Sequence, residues 1–547
     1  MNRINKVNLV RRRVLFWVAF LLILIQGLPI KADELQKKVV NSNKVLLVYD
    51  SKNTYYDGEK IIDSVQRLLT SLGMSTTTTT INKYQRGTLE AGGYKAVVTL
   101  INWKSGDFRN QAFSKDRQRF KGSKIHIGQN LETDESLGLR ANVEKLVRQQ
   151  LMFEHKGVLE ELPYTDSMEI LANIKGSYLT FGKLQLQGNG SIKSIPFGVI
   201  NNNNAYLPFW KTTGLGLVYE QELLKRLLIK QQKDINYRPM LLVTKVTPFA
   251  NLEYLKQLIQ TLYRAGIHFV ISATISTQNT SQKAFFDYVN LLKYAEEHNG
   301  LIYLRVPYLQ KGYLTGAVTN KSLSSIILEN LRVMYRNQIY PMGITAPNYW
   351  NHDKVLSSAG LKRADEVLLL SSPKVYPIIA TSKTSAIYHH AYYVASLNSF
   401  EKIKATRSVL TNKDMKFKVP TALSVNLPRT YTKLKRIEKD ISKIDLTWYD
   451  FSTDSNYKKM VIGNKLITYQ YGNYFVNGQQ KDILEKDNKQ NSSHKKRQKR
   501  TFIQQINHAF SLGSRVLMII VIISLAGLTI FLIKGRQVYI EKFKKRR

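Results

Sequence analysis

Residues 237–275, YRPMLLVTKVTPFANLEYLKQLIQTLYRAGIHFVISATI, decide how the chain is read. Met240, Leu241, Leu242 and Val243 form an unbroken apolar run, the pattern of a strand covered on both faces in a parallel sheet. Thr247, Pro248 and Phe249 interrupt it. Asn251 offers an N-cap, Leu252, Leu255, Ile259 and Leu262 recur at helical spacing, and Gly266 can close the helix in the left-handed conformation. Ile267 to Ile271 is a second apolar run rich in β-branched residues. Strand, helix and strand in this order predict a parallel crossover.

The alternation continues. Phe285, Val289 and Leu292 mark a helix stopped near Gly300, followed by a strand at Leu301 to Leu304. Ile326, Ile327, Leu331 and Met334 mark another helix before Gly343 and Ile344, and Val367 to Leu370 and Pro377 to Ala380 read as further short strands. Repeated β-then-α units predict an α/β barrel or open sheet, and a barrel draws its working groups from the C-terminal ends of its strands. Those ends are Thr244 and Lys245, Arg305 to Tyr308, Thr345 to Trp350, and the loop before His389.

On these residues the chain resembles the polysaccharide-deacetylase-like membrane proteins of Gram-positive exopolysaccharide loci, a degenerate branch of the NodB-type deacetylase barrel. The resemblance covers Arg238 to Gly478, and is carried by residues 241–275, by GLIYLRVPYL from Gly300 and by GITAPNYW from Gly343. It implies a distorted (β/α) barrel. Active members end their first strand in two aspartates, one a general base and one a metal ligand, and a later strand supplies histidine ligands. By this resemblance Thr244 and Lys245 stand in place of the aspartates, and Leu304 to Pro307 in place of the histidine-bearing turn.

A divalent metal needs a convergent set of deprotonated ligands, so the departures imply neither metal nor other cofactor. His352 with Asp353, and His389 with His390, are the nearby groups that could rebuild acid–base chemistry. Adjacent residues on regular structure face different ways, which weakens both pairs. Lys245 and Arg305 could instead hold the anionic or hydroxyl groups of a glycan, with Tyr349 and Trp350 as stacking surfaces.

Arg3, Lys6 and Arg11 to Arg13 precede an apolar run from Val14 to Ile25, the layout of a signal peptide or signal anchor over 1–32. A second uncharged run, Val516 to Ile533, predicts a transmembrane helix over 514–533, and the basic tail 534–547 places its end in the cytoplasm. The exported body then faces outward at the cell membrane. The chain has no cysteine, which fits a Gram-positive surface. Its formal net charge of +41 is too large for the two ends alone, so the exported part should attract polyanions. The basic residues are scattered and export removes the usual partner, so nucleic acid is excluded.

Residues 44–150 read as a flavodoxin-like α/β domain, with strands at Val45 to Val48, Tyr94 to Ile101 and Lys124 to Ile127, and a helix from Ile61 to Leu69. Asp50 to Thr54 occupies the usual ligand-binding turn but lacks phosphate-cradling glycines. A β-rich connecting segment over 160–215 follows, ending in Tyr206, Phe209 and Trp210. The barrel with a C-terminal hairpin extension spans 236–478, with turns at Gly463–Asn464 and Gly472–Asn473, before a basic stalk over 479–512.

Three functional readings follow. The first is a catalytically degenerate, outward-facing protein that handles an anionic or neutral polysaccharide in exopolysaccharide or cell-wall glycan synthesis or export. The second is an active deacetylase or glycoside hydrolase with relocated groups, drawing on His352, Asp353, Asp365 and Glu366. The third is a scaffold among glycan synthase or export subunits. All three require the same topology. Protease added to intact protoplasts is expected to digest the chain from about residue 33 to about residue 511 and spare the C-terminal tail, read by antibodies to each part; a protected barrel would reverse it.

Overall fold

The computed structural model describes residues 43–50, 58–102, 110–187, 192–229, 235–307, 320–373, 381–383, 390–401, 409–410, 415–454 and 458–481. The signal segment, the stalk beyond Lys481, the apolar run 514–533, the basic tail, Pro377 to Ala380 and His389 lie outside them. Among the described residues no helix is long and apolar enough to cross a membrane.

The fold is mixed α/β. Its first sheet begins with β1 (Lys44–Tyr49), β2 (Ser75–Thr80), β3 (Ala96–Ile101) and β4 (Ser123–Gly128), all parallel in the order β2-β1-β3-β4. It does not stop there. β5 (Asn142–His155), β6 (Val158–Glu161), β7 (Thr165–Ala172), β8 (Leu179–Gln187), β9 (Ile192–Asn201) and β10 (Asn204–Leu207) extend it, because β10 pairs parallel with β4 and antiparallel with β9. The boundary drawn at residue 150 therefore falls inside β5. The flavodoxin-like and β-rich segments share one sheet.

The barrel comprises β11 (Met240–Val246), β12 (Phe269–Ala273), β13 (Gly300–Arg305), β14 (Gly343–Pro347) and β15 (Glu366–Leu370). After them, β16 (Thr381–Lys383) leaves the barrel and pairs antiparallel with β2, giving the first sheet eleven strands among the described residues. β17 (His390–Ser396) and β18 (Thr421–Asn426) return to close a seven-stranded parallel barrel, with β18 beside β11. The apolar runs at Met240 and Phe269 are buried, as two-sided coverage requires. Gly343 has a steric reason: a Cβ there would come within 2.1 Å of the Tyr303 ring inside the barrel.

Four antiparallel strands, β19 (Lys458–Ile462), β20 (Lys465–Gln470), β21 (Asn473–Val476) and β22 (Gln479–Lys481), form a separate C-terminal sheet. Gly463 and Gly472 turn it with positive φ. Lys458 inserts its ammonium against Glu366 at the amino end of the barrel, 2.5 Å away, with both side chains buried. Tyr303 donates to the same carboxylate, and Lys458 also faces the rings of Tyr449 and Phe451.

Two helices join sheet to barrel. The helix Gly58–Ser71 buries Ile62, Val65, Leu68 and Leu69 and also Asp63, Ser64, Gln66 and Arg67. Its polar side meets the barrel: Arg67 bonds Asp63 at 2.8 Å and the Val394 carbonyl at 2.6 Å, and lies over the Tyr393 ring. Ser64 and Tyr393 share a 2.8 Å hydrogen bond. The helix Gly214–Leu228 does the same through Gln221, which donates to Thr421 and accepts the Lys418 N–H.

A buried charge that loses its partner is strongly destabilising. Arg67→Met is expected to cost about 3–5 kcal/mol in chemical denaturation, whereas Lys459→Ala, which breaks a more exposed pair with Asp365, should cost under about 1 kcal/mol. Equal costs would mean that the sheet and the barrel are not fused through this helix.

Candidate functional site

The carboxyl ends of the barrel strands carry a polar inner layer. Ser272 on β12 bonds Thr345 on β14, across β13, so both side chains point into the barrel. Tyr303 reaches Glu366 on β15 across β14, and Arg305, two residues further along β13, shares its inward face. Thr244 donates to Asn426 at 2.8 Å and to the Val425 carbonyl at 3.2 Å.

Lys245 is displaced from this layer by its backbone. The pairing of β11 with β12 slips by one residue between Val243 and Val246, and Lys245 sits in the slip with φ of +61°. A side chain in the left-handed region costs about 1–2 kcal/mol, and bulges of this kind re-aim residues at barrel rims. The side chain is exposed at the rim. It does not occupy the centre, where a metal-binding acid would sit by the resemblance.

Arg305 is partly buried. Burial lowers its guanidinium from the ordinary value, and the neighbour acting against that is the Tyr349 phenol; no carboxylate contributes among the described residues. Tyr349 is partly exposed, held by its N–H to the Ser372 hydroxyl at 3.0 Å.

Trp350 is corrected. It is fully buried, and a Cβ at Gly360 would meet its indole at 2.4 Å, so it cannot stack on a sugar. An aromatic that is exposed is Phe249, 95% exposed in the turn after β11. In sequence it reads only as part of a strand break; an aromatic beside Pro248 at a strand's C-terminal end was the available signal. Ser272 and Asn426 went unmarked because they become neighbours of Thr345 and Thr244 only when the barrel closes.

The acid–base candidates disperse. His352 ends the short helix Tyr349–His352, buried, and burial brings its imidazole down to about 4 against the pull of Asp63. An imidazole so low is a weak base at neutral pH. Asp353 caps the next turn by accepting the Leu356 N–H at 2.8 Å. His390, Asp365 and Glu366 lie at the amino end of the strands, opposite the mouth, where Glu366 is tied to Lys458. Among the described residues no group of three or more histidine, aspartate or glutamate side chains is placed to hold a metal ion.

No family model matches the chain, and no curated protein matches it.

The His352 environment gives a pH signature. Its folded value of about 4 lies below the ordinary 6.5, so the folded state binds fewer protons and loses stability as pH falls from about 6.5 to about 4. His352→Gln is expected to flatten that dependence by about 3 kcal/mol across the window, measured by urea denaturation at stepped pH. An unchanged slope would place the imidazole in water.

Proposed function

We propose that the chain is a membrane-anchored, outward-facing carbohydrate-handling protein of exopolysaccharide or cell-wall glycan synthesis or export. Its deacetylase-like barrel binds an acidic glycan without hydrolysing it. Arg305 carries this reading: a partly buried cation at the carboxyl end of the barrel, with no acidic neighbour among the described residues, favours an anion brought by a ligand. Lys245 adds charge at the rim, while Phe249 and Tyr349 offer ring faces at the same end. Hydroxyl and amide groups of Thr244, Ser272, Thr345 and Asn426 suit sugar hydroxyls.

The relocated-site enzyme is the weaker reading, because its candidate acids cap a turn or pin the opposite end of the barrel. Strain in the bulge supports a functional position for Lys245.

Calorimetric titration of the full-length protein with an acidic oligosaccharide tests the reading against a neutral one of equal length. Arg305→Ala is expected to weaken the acidic ligand at least about tenfold. Lys245→Gly should weaken it severalfold while leaving the melting temperature unchanged or higher, because glycine removes the strain. Acetate release from an acetylated glycan, lost in His352→Ala, would replace this reading by the enzyme.

A further inference from the structure

A cavity lies at the carboxyl edge of the first sheet. It has a volume of about 350 Å³, within the range of small-molecule sites. Its lining includes Ile101 and Asn102 at the end of β3, Gly128 and Gln129 at the end of β4, and Pro208 and Phe209 after β10. These three strands run parallel, and beyond β10 the sheet turns antiparallel. The cavity therefore opens where strand direction changes, at the edge on which open α/β sheets hold their ligands.

The local backbone keeps this place open. Gly128 has φ of +105°, and a Cβ there would come within 1.9 Å of the Ile101 carbonyl, so only glycine permits the close approach of β3 and β4. Asp50, fully buried, accepts the Asn102 N–H at 2.7 Å and so holds the residue that follows β3.

The lining sets two aromatic rings and a few polar groups among aliphatic residues such as Leu151, Leu162 and Met168. The Phe209 ring is held against Phe197 at 5.0 Å and Phe153 at 6.0 Å, which fixes it without covering it, and Tyr164 stands 57% exposed across the lining. Gln129 and Thr165 supply amide and hydroxyl groups, and Lys211 supplies the one charge. No acidic residue lines the cavity among the described residues. Glu160 and Glu220 lie nearby and are engaged by backbone, accepting the Leu215 and Lys211 N–H groups.

We propose that this cavity binds a single pyranose unit, stacked on Phe209 and Tyr164, and that Lys211 favours one bearing a carboxylate. A nucleotide fits less well, because the sequences that follow β1 and β3, residues 50–57 and 102–110, lack the run of glycines that brings N–H groups onto phosphates. The proposal is independent of the barrel mouth and stands whether or not that end binds a glycan.

The test uses the full chain carrying Arg305→Ala, which removes the mouth's central cation, and titrates methyl glucoside, methyl glucuronide and ADP by calorimetry. Both sugars should bind saturably, the glucuronide more tightly. Adding Tyr164→Ala, an exposed position whose loss spares the fold, should weaken both about tenfold. Adding Lys211→Gln should erase the glucuronide's advantage and leave the glucoside unchanged, with an unchanged melting temperature confirming the fold. Absence of saturable binding by either sugar, affinities indifferent to both added substitutions, or saturable ADP binding that displaces the sugars would each overturn the proposal.

Discussion

The contact between Arg67 and the sixth barrel strand governs the molecule. A guanidinium and a carboxylate cannot be buried unless their hydrogen bonds are met, and here Asp63 and the Val394 carbonyl meet them under the Tyr393 ring. One helix thereby bridges the first sheet and the barrel, with its apolar residues in the core they share and much of its polar side on the barrel. Gln66 donates to Thr78 of the sheet and accepts from Asn348 of the barrel, and Thr70 accepts from Asn351. The same helix reaches the mouth: Asp63 accepts the Ser372 N–H, and the Ser372 hydroxyl accepts the Tyr349 N–H. Tyr349 is thus positioned by residues far earlier in the chain.

The two ends of the barrel have opposite electrostatic economies. At the amino end Glu366 is enclosed by Lys458, Tyr303 and Tyr392, and its charge is consumed in holding the C-terminal sheet in place. At the carboxyl end no such internal acid faces Lys245 or Arg305 among the described residues. Conserving a barrel while exchanging its mouth is what the fold allows, because stability sits at one end and ligand contact at the other. In this barrel the cations Lys245 and Arg305 stand at the carboxyl end, the end at which such folds meet ligands.

Much of the barrel was legible. The apolar runs at Met240 and Ile267, the helix between them and the glycines at 463 and 472 report local requirements, which a sequence carries within a few residues. The strand β18 was not legible, since TALSVN is short and only moderately apolar, and it is a strand because β11 and β17 stand on either side of it. The site was partly legible. Thr244, Lys245, Arg305, Thr345 and Tyr349 follow from reading strand ends, whereas Trp350 and Phe249 exchanged roles because exposure is a property of the packed molecule.

The sequence by itself determined the period of each element, the parallel β-then-α order and the Thr244–Lys245 pair that ends the first barrel strand, for these depend on residue type and spacing. Tertiary structure decided which polar faces are wet. The Gly58–Ser71 helix has the pattern of a surface helix, yet its polar side is buried by partners 281 to 329 residues away. Periodicity cannot encode that, because it distinguishes apolar from polar faces and is silent on whether water or another part of the chain satisfies the polar one.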